Sequence, residues 1–265
     1  MKVYLSVDIE GAAGIAHWDE ARKPERDYPE FQERMTGEAV AACEGALAAG
    51  ATEIWIKDAH GSGRNILQER LPTEAVLIRG WSAHPLGMLQ ELDETIAAVG
   101  MVGYHSPASS SGNPLAHTLT GLYAKMMING AVVSEYALHT YAANMLGVPV
   151  AFLSGDETIC RLGKELNPSL TTVATNKGVG ESVIATHPQR ARDGIREGVS
   201  EAFSGDLSRH RVQLPDHFDF RLQFKHHADA YRRSFYPGAW LEGEDTVAFS
   251  TDNYFEILRL IRFMS

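Results

Sequence analysis

The chain has 265 residues, of which 44% are hydrophobic and 22% are charged, as in ordinary globular proteins. Its 34 acidic residues outnumber its 24 Lys and Arg, and the formal net charge of −10 argues against nucleic acid or an anionic membrane as a partner. The 2 cysteines lie far apart, which argues against a disulfide-stabilised scaffold. We expect a cytoplasmic enzyme or binding protein, since the sequence shows neither a leader peptide nor an apolar run long enough to span a membrane.

The first predicted strand ends in two carboxylates. Val3–Val7 is an apolar run with β-branched residues, as in a buried strand, and Asp8 and Glu10 follow it. In an extended chain these two side chains point to the same side. Like charges repel there unless a cation lies between them, and a divalent metal is the usual one. The alternative is a strand that meets solvent, with Glu10 opening a loop.

Three later apolar runs also lead into polar residues. They are Glu53–Lys57 before Asp58 and His60, Thr95–Val102 before His105, and Val148–Leu153 before Asp156 and Glu157. Predicted helices at Glu33–Ala49 and Ser134–Leu146 separate some of these strands, the second with Ser134 as its N-cap. The alternation predicts an α/β fold, a three-layer αβα core around a mostly parallel sheet. Ligands of such sheets bind beyond the carboxyl ends of the strands.

The second half of the chain departs from this alternation. Leu122–Val133 contains Asn129-Gly130 between two apolar runs, which predicts a β-hairpin near the edge of the sheet. A smaller C-terminal α+β unit is predicted from a helix at Arg190–Phe203, strands at Phe218–Phe224 and Thr246–Phe249, and helices at Ala228–Arg233 and Tyr254–Phe263. We expect an α/β metal-binding domain at 1–205 and a smaller α+β domain at 206–265, with interleaving of the two as the alternative.

Few of the 11 histidines are expected to belong to a site. His60 and His105 follow predicted buried strands, and imidazole is the commonest metal-binding side chain. His117 lies beyond a loop rich in Ser, Gly and Pro, and Glu135 opens a helix, where a first-turn carboxylate is by itself ordinary. We expect His17 at most to line the site; His84 and His139 are interpreted as structural. The chain contains no GxSxG, HExxH or Walker motif.

Five short motifs occur in an order that resembles a known family. They are Ser-Val-Asp8-Ile-Glu10-Gly, Lys-Asp58-Ala-His60-Gly, Val-Gly-Tyr-His105, Ala-His117-Thr and Asn-Gly-x-x-Val-Ser-Glu135. Together they resemble the D-aminopeptidase DppA family, the M55 metallopeptidases, over essentially the whole chain. The resemblance implies two zinc ions per subunit, with Asp8 bridging them, and the ligand set Asp8, Glu10, His60, His105 and Glu135. It also implies His117 as a catalytic residue.

The same resemblance implies a homodecamer of two stacked five-membered rings and cleavage of short peptides that begin with a D-residue. The chain differs from the best-known members in Gly11–Asp27 and Ser106–Asn113, and we expect both loops to border the substrate. No individual substrate-binding residue is assigned. These differences bear on the preference for D-residues more than on the metal site.

We therefore expect a dinuclear zinc aminopeptidase. A metal-dependent hydrolase of another small amide or of a phosphoester is the first alternative, and a non-catalytic peptide-binding protein is the second. The role of His117 stays open between proton transfer, stabilisation of the oxyanion and covalent attack.

Overall fold

A computed structural model describes residues 1–264. Its strands are β1 (Lys2–Val7), β2 (Glu53–Asp58), β3 (Ala75–Ile78), β4 (Val99–Tyr104), β5 (Tyr123–Ile128), β6 (Ala131–Val132), β7 (Val150–Asp156), β8 (Thr171–Val179), β9 (Ser182–Ala185), β10 (Phe218–Phe224), β11 (Trp240–Glu242) and β12 (Thr246–Thr251). Its α-helices are α1 (Trp18–Ala21), α2 (Tyr28–Ala48), α3 (Glu135–Met145), α4 (Glu157–Leu166), α5 (Pro188–Ser204), α6 (His227–Arg233) and α7 (Tyr254–Met264). None of these helices combines the length and apolar composition needed to cross a membrane.

The main sheet has seven strands in the order β3-β2-β1-β4-β7-β8-β9, and only the edge strand β9 is antiparallel to its neighbour. This confirms the predicted mostly parallel sheet. In the register of the central strands, Val7 lies opposite both Asp58 and Val102. The carboxyl ends of β1, β2 and β4 are therefore level, so the residues that follow them meet at one edge.

Alternate residues of β1 supply two separate cores. Val3, Leu5 and Val7 pack with α2 and α5 on one face, whereas Tyr4 faces α3 and the second sheet on the other. Because successive side chains of a strand point to opposite faces of the sheet, burying both faces needs mostly apolar residues at consecutive positions. The three layers predicted from the sequence follow from this double burial.

A second sheet of five strands, in the order β11-β12-β10-β5-β6, is antiparallel throughout. It contains the predicted hairpin β5-β6, in which Asn129 and Gly130 have φ of 51° and 79°. The expected position of the hairpin is wrong, because it pairs with β10 and not with the edge of the main sheet. The strand β10 buries Phe218, Phe220, Leu222 and Phe224 on one face, and this apolar face is covered only when a second sheet forms.

Strands from both sides of residue 205 thus pair in the second sheet. The division of the chain into a domain at 1–205 and a smaller domain at 206–265 stays a prediction, with interleaving of the two as its alternative. The second sheet and α7 pack into the same core as α3 and β4, so the two parts share one hydrophobic interior.

The largest differences between predicted and observed boundaries are at the starts of α2 and β4. The helix α2 begins at Tyr28, ahead of the predicted Glu33, because Pro29 is tolerated in a first turn and Tyr28 and Phe31 extend the buried face. The strand β4 begins at Val99 and not at Thr95, because the Asp93 carboxylate accepts the Thr95 backbone N–H at 2.8 Å and holds a turn there.

Candidate metal centre

Asp8 and Glu10 converge although the chain turns between them. The Asp8 N–H still donates to Val102 O of β4 at 2.8 Å, and the Ala12 N–H then donates back to Ile9 O at 2.9 Å. The extended conformation assumed for the pair therefore ends at Asp8. Both carboxylates are nevertheless buried, and both face His60.

His60 follows β2 and is surrounded by acceptors. Its Nδ1 lies 3.0 Å from Glu10 Oε2 and 3.3 Å from Asp8 Oδ1, and its Nε2 lies 2.7 Å from the main-chain oxygen of Ala21. Asn65 donates from its side chain to His60 O at 2.7 Å and to the Asp58 carboxylate at 2.8 Å. These bonds fix the loop after β2, so Asp58 shapes the loop and contributes no atom to the cluster.

His105 and Glu135 form the other side of the cluster. His105 Nε2 lies 3.6 Å from Asp8 Oδ2 and 3.5 Å from Glu135 Oε2, while its Nδ1 lies 2.9 Å from Ser106 O. Glu135 opens α3, whose predicted N-cap is confirmed because the Ser134 side chain accepts the Ala137 N–H at 3.1 Å. The Leu119 N–H donates to Glu135 Oε1 at 2.6 Å and orients this carboxylate.

His117 lies beside the cluster and is less buried than the five side chains that form it, Asp8, Glu10, His60, His105 and Glu135. Its ring stacks on His105 with centroids 4.4 Å apart and planes 10° from parallel. Its Nδ1 lies 2.9 Å from Leu115 O, and its Nε2 lies 3.8 Å from Glu135 Oε1. The indole of Trp18 packs edge-on against it at 5.3 Å.

This arrangement of donors fits a divalent metal ion. Each imidazole has one ring nitrogen bonded to a main-chain carbonyl and the other directed at carboxylates. A metal ion bound between that second nitrogen and the carboxylates would take the place of the proton that the nitrogen would otherwise carry. His105 Nε2 is buried with no hydrogen-bond partner in residues 1–264. Ligands about 2.1 Å from a tetrahedral zinc are roughly 3.4 Å apart, close to the separations seen here. Within residues 1–264, two groups of side chains bring their ligand atoms within 4.8 Å of one another, close enough for a metal ion to lie between them: Asp8, Glu10 and His105, and His105, His117 and Glu135.

The pKa shifts show how strongly these groups interact. Burial, and then the neighbouring Glu10 carboxylate, raise the pKa of Asp8 well above its usual range. Burial also raises the pKa of Glu135, but His105 outweighs it and brings that pKa to about 2. Burial and the adjacent His105 lower the pKa of His117. The cluster thus mixes ionised and proton-holding groups, which is the environment that a bound cation stabilises.

The cluster opens into a cavity of about 620 Å³. Trp18, Ala21, Arg22 and Lys23 line it, as expected for the Gly11–Asp27 loop. The expectation for Ser106–Asn113 is wrong, since none of these residues lines the cavity. This loop lies behind the cluster instead, where Asn113 donates to Glu10 O at 2.8 Å and Ser106 donates to Asp156 at 2.6 Å.

Three other histidines considered in the sequence form hydrogen bonds with the backbone. His17 is exposed and caps α1, accepting the Asp19 N–H at 3.2 Å, and it does not line the cavity. His84 and His139 do line it, but their rings bond to nearby backbone groups. Sequence reasoning named no role for Trp18, although an aromatic residue inside a loop that was expected to border the substrate was an available signal.

Comparison with known proteins agrees with the five motifs. The sequence profile of the M55 peptidase family, described as D-aminopeptidase, matches residues 1–263. The chain belongs to this D-aminopeptidase family. It is 28% identical over 267 residues to a D-aminopeptidase of Bacillus subtilis (strain 168), a match that covers 100% of this chain and 97% of that protein.

The fold also matches a known D-aminopeptidase. The structure of the Zn-dependent D-aminopeptidase DppA from Bacillus subtilis, described as a self-compartmentalizing protease, matches with a TM-score of 0.93 and 27% identity. This match covers 100% of the present chain and 96% of that one. The D-aminopeptidase fold therefore extends over both sheets, which confirms the predicted fold class and the family resemblance.

Proposed function

We propose that this protein is a zinc-dependent aminopeptidase that removes the N-terminal residue, preferably a D-residue, from short peptides. The observation that carries the proposal is the buried cluster of Asp8, Glu10, His60, His105 and Glu135, of which all but His105 line the cavity. Membership of the D-aminopeptidase family and the likeness to a Zn-dependent member support both the reaction and the metal.

We assign two zinc ions to each subunit, with Asp8 shared between them. Glu10 and His60 would complete one position and His105 and Glu135 the other, because the two oxygens of Asp8 face different imidazoles. Bound zinc would lower the pKa of a coordinated water and polarise the scissile carbonyl. The chain contributes the carboxylates that hold the cations and the carbonyls that orient the imidazoles.

We assign proton transfer to His117. Its Nδ1 is held by Leu115 O, so its Nε2 is available to take up a proton and deliver it to the leaving amine. The stack on His105 and the edge contact with Trp18 keep the ring at the mouth of the cluster. Its greater exposure suits a group that meets the substrate.

We also propose that ten copies assemble around an enclosed space. The support is the description of the related enzyme as self-compartmentalizing. Large apolar side chains that are exposed in the single chain, among them Ile184 at 65%, Phe235 at 71% and Phe263 at 65%, suit contacts between copies.

The test combines a metal assay with a substrate panel. Zinc per chain is measured by mass spectrometry on the dialysed protein, and hydrolysis is then followed for D-Ala-D-Ala, L-Ala-L-Ala, D- and L-alaninamide and a generic phosphoester. Two zinc ions and cleavage of the D-substrates are expected, with loss on chelation and recovery on adding zinc. Zinc binding with cleavage of only the phosphoester would instead identify a different metallohydrolase, and absence of zinc would remove the proposal.

A further inference from the structure

The cavity wall carries a cation without an anionic partner. Arg22 is exposed, lines the cavity and places its guanidinium 4.3 Å from the ring centroid of Trp18. Within residues 1–264, no carboxylate oxygen lies within 4.0 Å of its nitrogens. Its hydrogen-bond donors therefore face the cavity without a protein acceptor of opposite charge.

The other cations of the wall are engaged. Lys23 donates to Arg64 O at 2.7 Å, and Arg262 donates from Nε to Ala83 O at 3.1 Å. The carboxylates that line the cavity, Asp8, Glu10 and Glu135, belong to the metal cluster. Among the described lysine and arginine side chains that line the cavity, Arg22 is thus the one that donates to no protein oxygen, and it lies apart from the metal-binding floor.

The position of Arg22 relates it to the reaction. Its guanidinium lies over Trp18, and Trp18 packs against His117 at 5.3 Å. The preceding residue, Ala21, accepts a hydrogen bond from His60. Since an extended peptide advances about 3.5 Å per residue, the guanidinium is within reach of a chain that continues one or two residues beyond His117.

We propose that Arg22 binds the C-terminal carboxylate of a dipeptide or tripeptide substrate, with Trp18 as the surface beneath the leaving residues. The inference rests on the proposed function, because it uses His117 as the proton donor to the leaving amine. The part of the substrate beyond the scissile bond must then lie on the Trp18 side. A guanidinium matches a carboxylate with two parallel hydrogen bonds, and stacking on an indole holds its plane in place.

The test compares D-Ala-D-Ala with D-Ala-D-alaninamide, which lacks the terminal charge. In the zinc-loaded wild-type protein we expect the free acid to have a higher kcat/KM by about 10- to 100-fold. Arg22→Met, which keeps an unbranched side chain over Trp18, is expected to remove this preference, mainly by raising KM for the free acid. Arg22→Lys should restore part of it, and Arg26→Met, an exposed arginine outside the cavity wall, should match the wild type.

Equal decreases in kcat/KM for both substrates in Arg22→Met would overturn the inference, since they would indicate a general effect on Trp18 and His117. An unchanged preference would overturn it as well. Calorimetry with a reduced dipeptide, in which CH₂–NH replaces the amide, separates the inference from the proposed function. Even if neither peptide is hydrolysed, tighter binding of the acid than of its amide, lost in Arg22→Met, supports the role of Arg22, and equal binding refutes it.

Discussion

Asp8 is the residue on which the two sides of the cluster depend. Its Oδ1 lies 3.3 Å from His60, and its Oδ2 lies 3.6 Å from His105. Glu10, by contrast, forms its short contact with His60. In the proposed dinuclear site, a carboxylate shared between two imidazoles would contact both cations, whereas Glu10 would contact one.

The two carboxylates are therefore expected to differ in their effect on metal content. Asp8→Ala should remove most zinc from both positions, and Glu10→Ala should remove about one ion per chain, because the remaining ligands still surround the other position. Zinc per chain after dialysis is the measurement, with Asp216→Ala at an exposed position as the control. Equal zinc loss in the Asp8 and Glu10 variants would contradict a shared role for Asp8.

His117 is expected to matter for turnover and not for metal binding. In His117→Ala, zinc content should match the wild type while kcat falls by about 10²-fold or more, the usual contribution of a positioned acid or base. His226→Ala, an exposed histidine far along the chain, provides the control. Wild-type turnover would refute the proton-transfer role, and loss of zinc would show that His117 acts as a ligand.

At the scale of elements, the end of β4 approaches β1 too closely for a side chain. Gly103 has φ +70°, and a Cβ there would lie 2.3 Å from the main-chain oxygen of Asp8. Gly50, after α2, has φ +88°, but a Cβ built on it would have no atom within 4 Å. Comparing alanine substitutions at Gly50 and Gly103 therefore separates the free-energy cost of the left-handed backbone from that of the steric clash between strand ends.

Gly103→Ala is accordingly expected to be far more damaging than Gly50→Ala. The Gly50 variant should lose about 1 kcal/mol of unfolding free energy for its left-handed backbone, and the Gly103 variant more than about 3 kcal/mol because the strand ends must also separate. Urea unfolding measures both values. Zinc content should fall in the Gly103 variant alone, and similar stabilities would show that the strand ends move apart without cost.

Helix α2 supports the loop that carries Glu10 through a buried acid. Glu38 Oε1 accepts the Ala13 N–H at 2.8 Å, while its Oε2 is buried with no hydrogen-bond partner in the described part of the chain. Burial raises the pKa of Glu38 from 4.5 to about 7. The folded protein therefore keeps the proton at pH values where the unfolded chain releases it, so ionisation of Glu38 opposes folding.

Stability should consequently fall as pH rises from about 4.5 to 7 through this group. Glu38→Gln keeps the acceptor for Ala13 and cannot ionise, so its advantage over the wild type should grow between pH 5 and 8, by on the order of 3 kcal/mol at most. Unfolding free energies across this range test the expectation, with the exposed Glu181→Gln as the control. A difference that is independent of pH would show that Glu38 is already ionised at pH 5.

At the scale of the whole molecule, the assembly is open to direct measurement. We expect light scattering to give ten times the 29.1 kDa mass of the chain. Apolar side chains such as Phe235 and Phe263 are largely exposed in the single chain, and burying them between copies is favourable. A monomer at micromolar concentration would rule out the decamer and leave these side chains unexplained.

Much of the molecule was predictable because its signals are local. The burial of both faces of β1, the Ser134 cap of α3, the Asn129-Gly130 turn and the alternation in β10 each depend on a few consecutive residues. The four central strands of the main sheet, β1, β2, β4 and β7, were predicted for the same reason, whereas β3, β8 and β9 were not predicted. The partner of the β5-β6 hairpin was not predictable, because pairing with β10 joins segments far apart in the chain.

The sequence by itself determined which side chains gather at the carboxyl edge of the sheet. The parallel register places the ends of β1, β2 and β4 level, and the residues after those strands are Asp8, His60 and His105. The same ordered motifs identified the D-aminopeptidase family. Local chemistry and chain order suffice for this because strand ends are set by short-range patterns.

Only the tertiary structure decided what surrounds those side chains. In the structure, Asp58 and Asp156 hold loops in place through hydrogen bonds, and Ser106–Asn113 lies behind the cluster. Trp18 and Arg22 line the cavity. The reason is that loop positions depend on contacts between distant segments, such as Asn113 with Glu10 O and Ala21 O with His60, which no local pattern encodes.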